Sequence, residues 1–317
     1  MLSLALVLGC NDRSHEERPK MDLKRPRGAV VDHDGKIAAR IAAAEAGSLP
    51  LIVAHRGASK DAPENTLAAF RLGFEQGADA IEGDFWLSAD GVIVAMHDRS
   101  LARTTATPSG EGDGREVTAL TWEELAHFDV GSWDEWAARG YAGEPIPTLA
   151  QVLELVAAQG EGHRAIVEIK DGPRIVPALL ETLAASGLAP EQVAIIAFDA
   201  EVIAALTKAR SEGGANWPAY WLSSFEEGKG GALEPSAAQV VAEARRVGAD
   251  GVDLWAKALV LDPELAPAVR AAGLELHVWT VDDEALARQL VALGVDSITT
   301  NIPAALRASL APGSTAN

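Results

Sequence analysis

The sequence predicts a (β/α)8 TIM barrel with an extra hairpin strand after its second strand and a small insertion before its third. Three observations carry that expectation. From residue 50 onward, short apolar runs alternate with helical patterns, the signature of βαβ units and a parallel sheet. Eight such runs are spread over roughly 265 residues, close to the usual size of such a barrel. No glycine-rich loop follows the first run, where an open doubly wound sheet usually carries one for nucleotide phosphates.

The eight expected strands are "LIVAHRG" (51–57), "DAIEGDFWL" (79–87), "RAIVEIK" (164–170), "QVAIIAF" (192–198), "WPAYWLS" (217–223), "DGVDLW" (250–255), "LELHVWT" (274–280) and "DSITT" (296–300). Between them lie helical segments such as "NTLAAFRLGFEQG", "TLAQVLELVAAQG" and "DEALARQLVALG", several of which stop at glycine, as helices commonly do. One strand breaks the rhythm: "GVIVAMHD" (91–98) follows the second strand with no helix between, only Ser88-Ala89-Asp90-Gly91. Asp90-Gly91 flanked by apolar alternation predicts a hairpin, which folds His97 back beside residues 82 to 84. Residues 103–147 lack barrel periodicity and hold Trp133, Trp136 and Tyr141, so they read as an insertion whose aromatic residues either cover the barrel mouth or wall a pocket.

The chain has 317 residues, 48% hydrophobic and 23% charged, and carries a net charge of -19. That acidity argues against nucleic acid as a partner, because phosphate backbones need basic patches. An anionic substrate remains compatible if a bound cation supplies local positive charge. The lone cysteine, Cys10, excludes an internal disulfide. It ends "MLSLALVLGC", where Val7-Leu8-Gly9-Cys10 resembles the lipobox of bacterial lipoproteins, although no Lys or Arg precedes the run. That resemblance implies attachment to a membrane through a lipidated Cys10, in the bacterial cell envelope; a cytoplasmic chain is the alternative. Residues 1–10 are thus expected to be a signal segment, 11–48 a charged tether and lead-in helix, 49–310 the barrel, and 311–317 a tail. Residues 11–40 hold eight Lys/Arg and six Asp/Glu; subtracting these from totals of 27 and 46 leaves 19 and 40, a net -21 for the rest.

Barrel enzymes keep their chemistry at the C-terminal ends of the strands, and the unusual polar residues fall there. His55 and Arg56 end the first strand, Glu82 and Asp84 sit late in the second, Glu168 and Lys170 end the third, and Trp279 ends the seventh. Residues two apart on a strand share a face, so Glu82 and Asp84 point the same way, as do Glu168 and Lys170. Like charges placed so close do not both stay ionised unaided. A hard divalent cation, calcium or magnesium, resolves the three carboxylates most simply, whereas zinc prefers imidazole or thiolate. His55 and His97 flanking such an ion suggest general acid–base work. With Arg56 and Lys170 adding fixed positive charge, the set reads as a phosphate site. His277 shares a strand face with Trp279 and is a weaker candidate for the same pocket.

The blocks "AHRGASKDAPENTLAAF", "IEGDFWLSADGVIVAMHDRSLARTT", "PTLAQVL", "IVEIK" and "VWTVDDEALARQLVALGVDSITTNIP" resemble, in order, the signature blocks of the glycerophosphodiester phosphodiesterases. They cover residues 51 to 303. The resemblance implies a phospholipase C-like barrel that uses one divalent cation to hydrolyse small glycerophosphodiesters to glycerol 3-phosphate and an alcohol. Carried over by position, it implies His55 and His97 as the catalytic histidines and Glu82, Asp84 and Glu168 as the metal carboxylates. Arg56 and Lys170 become phosphate contacts, and Trp279 a wall of the substrate pocket. Asn65, in the "PENT" block, is expected to cap the following helix. Gly83 stands where relatives carry a larger aliphatic residue, so looser local packing is expected there. Two alternatives share the catalytic residues in whole or in part: a lysophospholipase D-type or glycerophosphoinositol phosphodiesterase, and a surface protein that only captures its ligand. Which histidine is the acid, and whether water or a glycerol hydroxyl attacks, stay open at this point.

Overall fold

The computed structural model describes residues 49–105, 113–228 and 231–311. The signal-like segment 1–10 with Cys10, the tether 11–48, and the tail beyond residue 311 lie outside the described residues. The strands are β1 (Leu51–His55), β2 (Ala80–Leu87), β3 (Ile93–Ala95), β4 (Arg164–Ile169), β5 (Val193–Ala197) and β6 (Ala219–Ser223). They continue with β7 (Glu226–Glu227), β8 (Leu233–Glu234), β9 (Gly251–Trp255), β10 (Glu275–Trp279) and β11 (Ser297–Thr300). Parallel pairing runs β1-β2-β4-β5-β6-β9-β10-β11 and returns from β11 to β1, so eight strands close into a barrel. The predicted strands all form, each slightly shorter than its apolar run. The two-residue ribbon of β7 and β8 was not foreseen, because segments that short carry no period to read.

The outer faces of the strands and the inner faces of the helices make one large core, in which Phe70, Leu153, Leu179, Val202 and Leu290 are fully buried. The helix Leu67–Glu75 shows how it is built. Thr66 caps it by accepting from the Ala69 amide, and Ala69, Phe70, Gly73 and Phe74 bury one stripe at helical spacing against the sheet.

At the N-terminal end of the barrel one device recurs three times, in Gly77-Ala78-Asp79, Gly248-Ala249-Asp250 and Gly294-Val295-Asp296. Each glycine ends a helical segment with φ between 69° and 83°, a region where glycine carries no Cβ penalty. Each aspartate then accepts from the first amides of a neighbouring strand: Ile52 to Asp79 at 2.8 Å, Ala219 to Asp250 at 3.0 Å and Leu276 to Asp296 at 2.7 Å. Arg307, Arg210 and Arg270, each from a helix, pair with the same three carboxylates. Half-exposed ion pairs of this kind are worth only about 0–1 kcal/mol each; their structural use is to tie strand starts that would otherwise fray. This face fixes the barrel and leaves the opposite one for chemistry.

The hairpin forms as expected. β3 runs antiparallel to β2 with Phe85 opposite Ala95 and Leu87 opposite Ile93, and the Ser88 hydroxyl bonds to Asp90 across the turn at 2.7 Å. Beyond β3 the Met96 amide donates to the Asp84 carbonyl at 2.9 Å, which sets the next residue, His97, beside the acidic strand. The insertion has its own small core of Val94, Met96, Leu101, Val117, Leu120, Leu125, Val130 and Ile146.

Packing at Gly83 differs from expectation. A Cβ there would lie 2.8 Å from Phe70 Cζ and 3.2 Å from both Phe70 Cε1 and Phe85 Cε2. The ring of Phe70 occupies the space a larger strand residue would take, so the site is full rather than loose. Gly83→Ala should therefore lower stability by about 1–3 kcal/mol, the usual cost of an overpacked core. Urea denaturation reads this directly, and adding Phe70→Leu should make the pair cost less than the sum of the two single changes. A Gly83→Ala protein as stable as the parent would contradict this account of the packing.

Candidate active site

The C-terminal ends of β1, β2 and β4 lie side by side, in the register His55 opposite Glu82 and Asp84 opposite Glu168. One carboxylate oxygen from each of Glu82, Asp84 and Glu168 lies within 4.8 Å of the others, and all three residues are buried. Burial, then the charges of Asp84 and Glu168, push the Glu82 carboxyl well above its usual range. Burial also raises Glu168, although the Lys170 ammonium opposes it. Asp84 goes the other way: burial would raise it, but Arg56, His97 and Lys170 together hold it well below the ordinary carboxylate range.

Each acid is gripped on one side only. Glu82 accepts from the Arg56 amide at 2.9 Å, while its other oxygen, Oε1, is buried with no hydrogen-bond partner among the described residues. Lys170 Nζ lies 2.9 Å from Glu168 Oε1 and 3.4 Å from Asp84 Oδ1, the latter too poorly aligned for a hydrogen bond. Arg56 Nε is likewise 3.1 Å from Asp84 Oδ2 but off the angle a hydrogen bond needs. Buried, under-bonded carboxylate oxygens gathered at one point form an all-oxygen donor set, which a hard divalent cation fits.

Asn65 takes a part that sequence reasoning assigned elsewhere. Thr66, not Asn65, caps the helix. Asn65 is 3% exposed, donates from Nδ2 to Asp84 Oδ2 at 2.9 Å and accepts from the Asp84 amide at 3.0 Å. Its backbone is left-handed, with φ 57°, as is that of Arg56 with φ 55°. Non-glycine residues held there commonly mark functional loops.

The two histidines have different partners. His55 Nδ1 is 2.7 Å from Asn301 Oδ1, and Asn301 spends its Nδ2 on Asp282 at 2.6 Å. The asparagine oxygen must therefore accept, so His55 carries its proton on Nδ1 and leaves Nε2 bare. Burial, then the neighbouring Arg56 charge, lower the His55 pKa to about 4, which keeps the ring neutral at pH 7. His97 Nδ1 is 2.5 Å from Asp98 Oδ1. Asp98 is joined to Arg103, Arg103 to both oxygens of Glu64, and Glu64 to Arg56 at 3.0 Å. One chain of ion pairs thus connects His97 to Arg56. Trp133 backs it, with the Arg103 guanidinium 5.9 Å from the ring centroid.

These groups open on a cavity of about 120 Å³ lined by His55, Arg56, Glu82, His97, Glu168 and Lys170 on one side. Ile196, Phe198, Leu222 and Trp279 line the other side, with Asp253 and Thr299 among them. Trp279 and Phe198 meet edge to face at 5.5 Å. All the site residues expected from sequence come together here, Asp84 through its contacts to Lys170 and Arg56. His277 is not on the lining; it lies deeper, with Nδ1 2.8 Å from Ser297 Oγ and its ring against Tyr220. The insertion aromatics do not wall the cavity either: Trp136 is buried, and Tyr141 and Arg139 bond to the Asp61 carbonyl. Sequence reasoning missed Glu64, Asp98, Arg103 and Asn301, all of which stand inside its own quoted blocks.

A model of the glycerophosphoryl diester phosphodiesterase family matches residues 55–305. The chain belongs to that family. Among its relatives, the glycerophosphodiester phosphodiesterase of Caldanaerobacter subterraneus subsp. tengcongensis is 33% identical over 256 residues, covering 81% of this chain and 96% of the relative. The Bacillus subtilis glycerophosphodiester phosphodiesterase is 33% identical over 267 residues, covering 80% of this chain and 84% of the relative. Solved structures agree on the barrel. A Silicibacter pomeroyi protein described as a glycerophosphoryl diester phosphodiesterase superposes with a TM-score of 0.70 at 27% identity, covering 83% of this chain and 94% of that one. An Oleispira antarctica phosphodiesterase, in complex with the product sn-glycerol-3-phosphate, gives 0.68 at 27% identity, covering 83% and 97%.

The Asp98 pair makes a prediction about acid stability. Burial opposes ionisation of Asp98, but its hydrogen bonds from His97 and Arg103 outweigh it and hold the carboxyl well below the ordinary range. A carboxyl lowered in the folded state adds stability above its unfolded pKa of about 4, and that contribution is lost as pH falls below it. Asp98→Asn should therefore be less stable than the parent at pH 7, with the gap narrowing as pH drops from about 4 toward 2. Denaturation curves at several pH values measure the gap; one that stays constant down to pH 2 contradicts the assignment.

Proposed function

We propose that the protein hydrolyses glycerophosphodiesters to glycerol 3-phosphate and an alcohol, using the cavity at the C-terminal end of the barrel. The observation that carries this reading is the charge balance of the site. Five carboxyl groups, Glu64, Glu82, Asp84, Asp98 and Glu168, face three cations, Arg56, Arg103 and Lys170, and burial with mutual repulsion raises Glu82 and Glu168, so the set holds more acid than the local cations satisfy. A divalent cation held by Glu82, Asp84 and Glu168, calcium or magnesium by the oxygen chemistry of the donors, would supply the missing charge beside the phosphoryl oxygens. The product-bound Oleispira antarctica relative supports glycerol 3-phosphate as the product class.

The histidines divide the proton work. His55, neutral with a bare Nε2, is placed to take the proton of the attacking oxygen as its bond to phosphorus forms. His97, held at Nδ1 by Asp98, turns its other nitrogen to the cavity and gives a proton to the departing alkoxide as the phosphorus–oxygen bond breaks. The Asp98 carboxylate compensates the charge on the ring while it carries that proton. Arg56 and Lys170 steady the phosphodiester oxygens.

Release of glycerol 3-phosphate from glycerophosphocholine, restored by calcium or magnesium and abolished by a chelator, tests the proposal. Faster turnover of lysophosphatidylcholine would favour the lysophospholipase D-type reading, and metal binding without product would favour a capture protein. His55→Ala and His97→Ala should each lose at least ~100-fold in kcat while folding normally. A p-nitrophenyl leaving group departs without a proton, so it should restore much of the His97→Ala rate and little of the His55→Ala rate; the reverse pattern would exchange the two roles. For the envelope placement proposed from Val7-Leu8-Gly9-Cys10, mass analysis of the mature N-terminus should find lipid on Cys10; an intact Met1 would overturn it.

A further inference from the structure

One polar side chain in the cavity belongs to neither the acidic cluster nor the histidines. Asp253 sits in mid-β9, which stands four strands round the eight-stranded ring from β2, across the cavity from Glu82 and Asp84. It lines the cavity and is 4% exposed, and its Oδ1 has no hydrogen-bond partner among the described residues. Burial pushes its carboxyl up to about 7, with His277 opposing and Glu168 adding to the rise. An apolar residue would fill this place beside Leu222 without leaving a buried acceptor unpaired. Among the described residues nothing bonds Asp253 Oδ1, so a molecule filling the cavity can supply its partner.

Depth and wall chemistry say which part of a substrate that is. Asp253 pairs in register with His277, and each lies two residues before the rim tryptophans Trp255 and Trp279. At ~3.3 Å per residue, Asp253 is therefore about 7 Å back along its strand from the rim. His277 stands beside it in register, bonded to Ser297, and Tyr220, opposite Gly251, lies one step further down with its ring against His277. Ile196, Phe198, Leu222 and Trp279 bring carbon surfaces to the same side of the cavity. A floor that combines carbon walls with one unpaired acceptor matches a short polyol, whose CH₂ faces lie against carbon while a hydroxyl donates. The variable alcohol of a diester belongs at the open mouth, where one pocket can admit different groups, and the constant part belongs at the floor.

We infer that Asp253 is a specificity-determining residue that accepts a hydrogen bond from a hydroxyl of the glycerol moiety at the cavity floor. The inference rests on the proposed hydrolysis of glycerophosphodiesters and identifies the half of the substrate that is read. Sites built to bond a hydroxyl discriminate strongly against analogues that lack it.

The test compares glycerophosphocholine with the 1-phosphocholine ester of propane-1,2-diol, which has the same phosphate and head group and keeps the hydroxyl beside the ester, which could attack, but lacks the terminal hydroxyl that reaches deepest toward Asp253. The wild type should favour the glycerol diester by at least about tenfold in kcat/KM. Asp253→Leu should collapse that preference toward unity, while Asp253→Asn, which keeps one acceptor oxygen, should retain most of it. A wild type that turns over both esters equally would overturn the role of Asp253 without any variant and leave the proposed activity standing. So would a folded Asp253→Leu protein with an unchanged ratio, or one whose change follows choline against ethanolamine instead. Absence of any glycerol 3-phosphate from glycerophosphocholine with metal present would overturn the proposed function, and this inference with it.

Discussion

Three carboxylates held within 4.8 Å of one another, almost out of water, are the constraint to which the upper half of the barrel answers. At an effective dielectric of about 20, each pair of full charges at that distance repels by about 3 kcal/mol, and three pairs approach the whole stability of a domain. The fold meets this with local cations and with hydrogen bonds. Arg56 and Lys170 stand against Asp84 and Glu168, the Arg56 amide reaches Glu82, and the carboxamide of Asn65 holds Asp84 by both its side chain and its amide. The left-handed backbone of Arg56 and Asn65 follows from the same demand, since both must turn their polar groups inward from one short loop.

The two ends of the barrel divide the labour. At the N-terminal end, Asp79, Asp250 and Asp296 bind strand amides and helix arginines, with no part in the cavity. At the C-terminal end, comparable residue types are arranged so that several donors and acceptors stay unpaired. A rigid frame is what makes the second arrangement tolerable, because side chains free to move would pair off with one another. Around the cavity the lining splits by strand: β1, β2 and β4 carry charge, and β5 and β6 carry carbon.

Much of this was legible from the sequence, and the omissions have physical causes. Alternation in "AIEGDFWL" and "RAIVEIK" is a local property, so the shared faces of Glu82 with Asp84 and of Glu168 with Lys170 could be read without knowing the fold. The hairpin at Asp90-Gly91 is local too, and it brought His97 to the acids. Asn65 was misassigned because an asparagine beside a helix start looks the same whether it caps or reaches across to a strand; only the approach of β2, nineteen residues on, decides. Glu64, Asp98 and Arg103 matter as a chain, and no spacing rule links residues 64 and 103. Asp253 becomes visible only once the ring closes and sets β9 across from β2. Gly83 shows the converse error: a missing side chain in one strand was filled by Phe70 from a helix that the strand pattern could not see.

The acidity of the chain bears on how such a site can take an anion at all. Its net charge of -19 is spread over a surface, and at physiological ionic strength screening cuts that field off within ~8 Å, so a phosphodiester approaching the mouth feels mainly the groups lining it. Among those groups the acids Glu82, Glu168 and Asp253 outnumber Arg56 and Lys170, and both cations are already occupied by carboxylates. A dication held by Glu82, Asp84 and Glu168 would change both terms together: it would offset the excess acid and weaken the hold of the acids on Arg56 and Lys170. Affinity for the cation and affinity for the phosphate are, on this electrostatic reading, two sides of one equilibrium.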